Sequence, residues 1–401
     1  MRPYAGRRIV LGVTGGIASY KTGWLARLLT AAGAEVDVVM TRAATEFVGP
    51  VTFEALTGRP VHTDLFEPGR TLDHIALARA AHAIVVAPAT ADFLARVAHG
   101  FADDLLSACL LATEAPVLLV PAMNDRMWAN RQTQENAKHL REHGYHVLDP
   151  DEGPLAAGEG SGPGRMPEPE TIMAYVGRML EPNGALRGRR IVVTAGPTRE
   201  PVDPVRFLSN RSTGKMGVAI ATAAWRRGAE VTLVAGPLEV SVPRGVSLTH
   251  VETTTEMADA VRVALGEADA LVMAAAPADF GAAEPAAKKI KKKDKPDAIA
   301  LAPTPDILKV TRDARRPGAV IVGFALETGD AVDGGREKLA TKDLDLVVVN
   351  DAEDPKAAFA VDTNRVTILH RDGRTEALGV MLKSELADSI LDRVEALLRE
   401  R

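Results

Sequence analysis

The chain has 401 residues, roughly two to three times a typical domain, so two domains of similar size are expected. Hydrophobic residues make up 46% and charged residues 25%, which excludes a disordered, collagen-like or disulfide-built chain. The net charge of -5 falls in residues 1–183, with 16 Lys+Arg against 21 Asp+Glu, while 184–401 balance at 32 against 32; bulk charge marks neither half for nucleic acid.

Aromatic residues are only 4%, too few for base-stacking platforms. The single cysteine, Cys109, forms no internal disulfide or cysteine-rich zinc site and suits a reducing cytoplasm. No apolar stretch approaches the roughly 18 residues of a membrane helix, and no targeting signal is read. A cytoplasmic protein that binds neither membrane nor nucleic acid is expected.

In chain order, Ile9 to Val13 reads as a buried strand, Tyr20 to Ala32 as a helix and Glu35 to Met40 as a strand. Ile84 to Ala87 and Val117 to Val120 add two strands. Strands alternating with helical patterns predict crossover units and a doubly wound parallel sheet. Residues 153–169, with five Gly and four Pro, break the pattern before a helical stretch from Thr171 to Leu180. A linker is placed at 181–187, between domains at 1–180 and 188–401.

The second half restarts the same grammar. Gly6-Arg7-Arg8-Ile9-Val10 recurs as Gly188-Arg189-Arg190-Ile191-Val192, and Gly33-Ala34-Glu35-Val36 as Gly228-Ala229-Glu230-Val231. Shared strand-edge architecture explains these echoes without duplication. Strands are expected at Val231 to Ala235, Ala270 to Ala274, Ala319 to Phe324 and Leu346 to Val349, with an antiparallel pair near Arg365 to His370. The fold class is α/β: two Rossmann-like domains, the first flavodoxin-like.

After the first strand, Gly12-Val13-Thr14-Gly15-Gly16-Ile17-Ala18-Ser19 makes a glycine-rich turn that opens a helix, which suits a phosphate. The spacing is not G-x-G-x-x-G, and the second strand ends in Thr41 rather than an acid that would hold a ribose. A mononucleotide fits better than a dinucleotide. Gly15 and Gly16 alone would be accounted for by a tight turn. The wider set is more specific: Asp73-His74-Ile75, Ala87-Pro88-Ala89-Thr90-Ala91-Asp92, Pro121-Ala122-Met123-Asn124 and Gly162-Pro163-Gly164-Arg165-Met166.

With these motifs, residues 7 to about 180 resemble the flavin-dependent cysteine decarboxylases, and within them the decarboxylase half of the bifunctional decarboxylase/ligase family of coenzyme A biosynthesis. The resemblance implies that FMN oxidises a cysteinyl thiol, that carbon dioxide is lost from the resulting thioaldehyde-like species, and that hydride then returns to the enethiol. It makes His74 the catalytic histidine and sets Asn124 with Met123 around the substrate carboxylate. It also gives Gly15, Gly16, Ile17, Ala18, Thr41, Ala89, Thr90 and Ser107 as cofactor contacts. A near-neutral histidine relays a thiol proton, and a neutral amide holds a carboxylate without full charge pairing. The family's proton-donating flap cysteine is missing: Gly153 to Ser161 contains none. Cys109 reads as packing, which leaves Glu159 or a water as donor.

In the second half, Thr194 to Arg206 leads to Ser209-Asn210-Arg211-Ser212-Thr213-Gly214-Lys215-Met216-Gly217. This is no P-loop, since Ser209 stands in place of the first glycine and Met216 in place of the Mg²⁺-binding hydroxyl. It remains an anion cradle of amides, hydroxyls and one lysine. Six lysines, Lys288, Lys289, Lys291, Lys292, Lys293 and Lys295, crowd eight positions of a neutral half and suit a mobile lid over a triphosphate.

This segment, with Ala274 to Phe280, Lys289-Ile290-Lys291-Lys292, Pro305-Asp306-Ile307, Gly323 to Thr328 and Lys338 to Asp351, resembles the ligase half of the same family. The resemblance implies that CTP activates 4'-phosphopantothenate as an acyl-cytidylate, which the amine of cysteine then attacks. It assigns catalysis to Lys289 and the acyl intermediate to Asn210. Asp279, Phe324, Lys338, Lys342 and Asp306 fall to the nucleotide, and Ala275 and Ala276 to close approach of substrate. Mg²⁺ is implied by the triphosphate, with Asp279 as the metal-linked group. A lysine common in the family before Asp306 is replaced by Ala302-Pro303-Thr304-Pro305. Trimeric first-domain and dimeric second-domain contacts, hence a homo-oligomer, are also implied. The alternative reading keeps the ligase and makes the first half an oxidative decarboxylase that stops at the enethiol, or a non-catalytic assembly module.

Overall fold

The computed structural model describes residues 3–66, 71–291, 298–327, 331–351 and 361–401. Lys292, Lys293 and Lys295 of the lysine run, and Thr328, lie outside these. The chain divides into two compact units, Met1–Pro182 and Asn183–Arg401.

In the first unit, β1 (Arg8–Val13), β2 (Glu35–Met40), β3 (Val61–His62), β4 (Ala83–Ala89), β5 (Val117–Pro121) and β6 (His146–Val147) form one sheet. Its order is β3-β2-β1-β4-β5-β6 and every pairing is parallel. The likeness to flavodoxin is therefore one of class, because the order is 3-2-1-4-5-6 rather than 2-1-3-4-5. Such a sheet is covered on both faces, which is why β1 reads as a continuous apolar run. Ile9, Leu11 and Val13 enter the core shared with helices Ser19–Ala31 and Pro169–Leu180. Val10 enters the opposite core, against helices Ala91–Ala98 and Leu105–Ala112. Each such fully buried side chain contributes about 1.5–3 kcal/mol over exposure.

The Gly/Pro stretch that looks structureless in sequence is partly a hairpin: β7 (Asp151–Pro154) pairs antiparallel with β8 (Ser161–Arg165). Glycine and proline hide the alternation that announces a strand. Its far end is anchored by Met166, 1% exposed, and by Lys21, whose Nζ donates to the Met166 carbonyl (3.1 Å) and pairs with Glu168 (3.0 Å).

The second unit contains β9 (Arg190–Ala195), β10 (Arg199–Pro201), β11 (Phe207–Ser209), β12 (Glu230–Ala235), β13 (Ser247–His250), β14 (Ala270–Met273), β15 (Phe280–Ala282), β16 (Leu301–Pro303), β17 (Val320–Glu327), β18 (Leu346–Asp351), β19 (Thr363–His370) and β20 (Thr375–Leu382). The main sheet runs β13-β12-β9-β14-β17-β18-β19-β20. It repeats the parallel 3-2-1-4-5-6 core and adds β19 and β20 as the expected antiparallel pair. The ribbons β10/β11 and β15/β16, only three residues per strand, are too short to have been read from the sequence pattern. Among the described residues, no helix is long and apolar enough to cross a membrane.

Candidate active sites

The order reverses beside β1 in the first unit, and open α/β sheets bind ligands at the carboxyl ends of strands at that point. The glycine turn after β1 is fastened there to the turn after β4. The buried Thr14 hydroxyl donates to the Pro88 carbonyl (2.7 Å) and accepts from the Thr90 amide (3.1 Å). The peptide Ala87-Pro88 is cis. Thr90 caps helix Ala91–Ala98 by accepting from the Phe93 amide at 3.2 Å.

Gly15 is fixed by packing: a Cβ there would sit 2.5 Å from the Ala43 Cβ and 2.9 Å from its carbonyl carbon and oxygen. Gly16 has no such restriction, with nothing nearer than 3.8 Å. The Thr41 amide donates to the Val13 carbonyl (3.0 Å), which holds the turn after β2 beside this loop. Gly15, Gly16, Ile17, Ala18, Thr41, Ala89 and Thr90 therefore gather at one edge.

Met123 and Asn124 approach from β5. The Ala122 amide donates to the Ala89 carbonyl (3.3 Å), and the Met123 amide to the Gly164 carbonyl of β8 (3.0 Å). Asn124 caps helix Asp125–Ala129, its Oδ1 accepting from the Arg126 amide at 2.9 Å. That leaves the donor half of its amide for an acceptor such as a carboxylate. Ser107 is 1% exposed, and its hydroxyl is engaged with Asp104 in the capping box of helix Leu105–Ala112.

His74 lies elsewhere, on a shallow pocket of about 330 Å³ with Phe66, Thr71, Ala108 and Leu111. Among the described residues, its buried Nδ1 has no hydrogen-bond partner. Among the described residues no hydrogen bond ties His74 to the glycine turn or to Asn124. Burial, reinforced by Asp104 and Asp73, pushes the Cys109 thiol up to about 12. The hairpin residues 156–160, including Glu159, are exposed.

The second unit has a cavity of about 470 Å³ at the corresponding place. Asn210, Ala275, Ala276, Asp279, Phe324 and Lys338 all line it. Asn210 Nδ2 donates to the carbonyls of Ala276 (3.1 Å) and Pro277 (2.9 Å). The Ala275 amide donates to Thr194 Oγ1 (3.0 Å), and Lys338 Nζ to the Phe324 carbonyl (2.5 Å). Gly217 lets the helix Lys215–Arg226 press on β9, since a Cβ would lie 2.6 Å from the Thr194 carbonyl oxygen. Thr304, in the stretch that lacks the family lysine, donates through its hydroxyl to the Ala278 carbonyl (2.5 Å) and through its amide to the Asp279 carbonyl (3.0 Å).

Three expected nucleotide residues stand outside that lining. Lys342 and Asp306 are paired with each other at 3.2 Å. Lys289 is exposed, on a segment fastened through its neighbour: the Ile290 amide donates to Asp203 Oδ2 (3.2 Å), and Arg206 donates to the Ile290 carbonyl (3.1 Å). Burial alone would raise the Asp203 carboxyl, but the amides of Val205, Ile290 and Arg206 hold it below the usual carboxylate range. Sequence reading passed over Asn350, Asn364 and Lys383, which also line the cavity. Asn350 lies in β18, within the motif Lys338 to Asp351 but not singled out there, while Asn364 in β19 and Lys383 in the last helix lie outside the recognised motifs. Burial, with Lys215 nearby, brings the Lys383 ammonium down to about 8 against the pull of Asp362.

A doubly wound unit with a phosphate-suited glycine turn, and a second with a polar cavity at the same switch point, define a two-unit α/β protein with a ligand cleft in each unit. Residues 1–181 match the family model described as Flavoprotein, and residues 186–398 the one described as DNA/pantothenate metabolism flavoprotein C-terminal domain. The chain belongs to the family of bifunctional coenzyme A biosynthesis proteins. It is 46% identical over 412 residues to the coenzyme A biosynthesis bifunctional protein CoaBC of Mycolicibacterium smegmatis, covering 99% of each chain. It is 42% identical over 394 residues to that of Escherichia coli, covering 95% of this chain and 97% of the relative. A solved C-terminal domain of such a protein is 36% identical, covering 54% of this chain and 100% of that one, with a TM-score of 0.47.

Proposed function

We propose that the second unit uses CTP to join cysteine to 4'-phosphopantothenate through an acyl-cytidylate. The first unit then decarboxylates the phosphopantothenoylcysteine to 4'-phosphopantetheine. The observation that carries this reading is the convergence of Asn210, Ala275, Ala276, Asp279, Phe324 and Lys338 on one cavity, in a chain whose other switch point gathers the flavin motifs.

FMN fits the first unit. The turn at Gly15, closed to any side chain by Ala43, leaves backbone amides at a helix start for its phosphate, and Thr90 and Met123 flank it. When bound, FMN supplies the electron acceptor for the cysteinyl thiol and the hydride donor for the enethiol. The chain's own residues hold and move protons: His74, whose Nδ1 has no partner among the described residues, takes the thiol proton, and the Asn124 amide holds the carboxylate until carbon dioxide leaves.

In the second unit Asn210 holds the acyl group, and Lys289 brings positive charge to the triphosphate. Lys342 and Asp306 contact the nucleotide after their mutual pair opens. Asp279 would be the protein's carboxylate toward a Mg²⁺ brought by CTP, which would offset the charge of the triphosphate.

The enzyme works in the cytoplasm as a homo-oligomer, trimeric through the first units and dimeric through the second. In support, Ile17, Tyr20, Trp24 and Phe47 are at least 50% exposed beside the glycine turn, and Val205, Phe207, Phe280 and Leu301 are exposed on or beside the small ribbons. A second copy would supply the His74 that one copy does not bring to the flavin loop.

A second reading, in which the first unit stops at the enethiol, is favoured by one observation: the hairpin carries no thiol. One incubation with phosphopantothenate, cysteine, CTP and Mg²⁺, followed by mass analysis, separates the outcomes. Phosphopantetheine supports the full reading, and a product two hydrogens lighter supports the enethiol. Accumulated phosphopantothenoylcysteine removes the decarboxylase, while no CTP-dependent product removes the ligase. If Glu159→Gln leaves reduction of the enethiol at wild-type rate, the donor is water rather than Glu159.

A further inference from the structure

Lys215, the lysine of the anion cradle, and Lys383, to which the proposed reaction gives no role, lie together on the second unit's cavity. Lys215 opens helix Lys215–Arg226, Lys383 opens helix Lys383–Arg399, and both line the cavity with Thr213, Asn350 and Asn364. They share an environment at Asp362. Lys215 Nζ donates to Asp362 Oδ1 at 2.7 Å, while the Lys383 amide donates to the Asp362 carbonyl at 2.9 Å and its Nζ to the Val361 carbonyl.

The Asp362 side chain is 79% exposed, so its ion pair is weak and readily exchanged for a better anion. Lys383 is 7% exposed, and a desolvated ammonium beside a second cation is stabilised by any anion that reaches it. Among the described lining residues, three lysines, Lys215, Lys338 and Lys383, face one carboxylate, Asp279. With Asp362 counted as well, the lysines still outnumber the carboxylates, which suits an anionic ligand.

We propose that Lys215 and Lys383 form a two-lysine subsite for a phosphate group, with Asp362 holding Lys215 until that phosphate arrives. The proposal rests on the ligase reading of the cavity, where the phosphate belongs either to the nucleotide's polyphosphate or to the phosphate ester of the acid substrate.

The experiment uses the full chain with Lys383→Met, which keeps the buried stem, Lys383→Arg, which keeps the charge, and Lys215→Met. Calorimetric titration with inorganic pyrophosphate and with 4'-phosphopantothenate is run beside steady-state ligation. Each methionine variant is expected to weaken one of these anions about tenfold or more, with Lys383→Arg within about threefold of wild type. If the nucleotide is the source, KM for CTP rises and inhibition by pyrophosphate weakens while KM for phosphopantothenate holds. If the ester is the source, KM for phosphopantothenate rises and the preference over pantothenate shrinks while KM for CTP holds. A folded Lys383→Met protein with both affinities and both KM values unchanged overturns the subsite. A wild-type chain that makes no CTP-dependent product removes the ligase reading instead, and the pyrophosphate titration of wild type against Lys383→Met still decides the subsite.

Discussion

The two units share a frame and differ in what they hang on it. Both place a threonine at the end of the first strand against the turn that follows the fourth: Thr14 bonds Pro88 and Thr90, and Thr194 accepts from the Ala275 amide. Both therefore build a cleft at the same reversal of strand order, as topology requires. The first unit dresses its cleft with amides and hydroxyls and withdraws its nearest lysine, Lys21, to Met166 and Glu168. The second lines its cleft with Lys215, Lys338 and Lys383. Topology fixes where a ligand sits, and a handful of side chains fix its charge.

The sharpest way to break this comparison is to silence one unit at a time. His74→Asn is expected to lower carbon dioxide release by 10²–10⁴-fold while CTP-dependent ligation stays at wild-type rate. Asn210→Ala is expected to do the converse when phosphopantothenoylcysteine is supplied directly. Loss of both activities from either substitution, in protein that keeps its circular dichroism, would show that the units do not act separately.

A smaller effect separates the two neighbouring glycines of the first cleft. Gly15→Ala drives a methyl into Ala43 at 2.5 Å, an overpacking that costs about 1–3 kcal/mol and reduces the flavin absorbance of purified protein. Gly16→Ala meets nothing nearer than 3.8 Å and is expected to unfold within about 0.5 kcal/mol of wild type. Equal destabilisation by the two would contradict the close approach of the turns after β1 and β2.

These glycines also show what the sequence makes legible. Gly15-Gly16 after a buried strand announces a turn and a phosphate, but only the fold reveals that Ala43, 28 residues further on, is what excludes a side chain at one and not the other. Strands such as β1 and β14 were readable because sheets covered on both faces demand unbroken apolar runs. The hairpin β7/β8 was not, since its glycines and prolines leave no alternation. The cavity residues carried by motifs, Asn210 through Phe324, come together as motifs do. Lys383 stays invisible because it opens the last helix, where a lysine ordinarily reads as surface, yet that helix packs against helix Lys215–Arg226 and Lys383 is buried.

That burial gives a pH-dependent prediction. Burial brings the Lys383 ammonium down to about 8 from 10.5, with Lys215 adding to the fall and Asp362 opposing it. From about pH 8 to 10.5 the unfolded chain binds the extra proton, so stability rises with pH across that window, and below it the full penalty applies. Lys383→Met removes the penalty. It is expected to raise stability by roughly 1–3 kcal/mol at pH 7 and to lose that advantage towards pH 10.5, as read by urea denaturation at each pH. A gain independent of pH would mean that packing, not charge, is responsible.

The least effect is expected at Cys109, and it bears on how the first unit completes its reaction. The thiol is 0% exposed on helix Leu105–Ala112 and is held up to about 12 by burial, so at neutral pH it is neither a thiolate nor within reach of solvent. Iodoacetamide should leave it unmodified in native protein and alkylate it in urea. Cys109→Ala should cost about 1–2 kcal/mol of stability through a lost sulfur contact while the ratio of phosphopantetheine to enethiol stays fixed. A shift of that ratio towards enethiol would make Cys109 the missing donor, and it would require the helix Leu105–Ala112 to open during turnover. An unchanged ratio confines the donor to the hairpin or to water, which makes the departure of this chain from its family a substitution of chemistry within one cleft rather than a relocation of it.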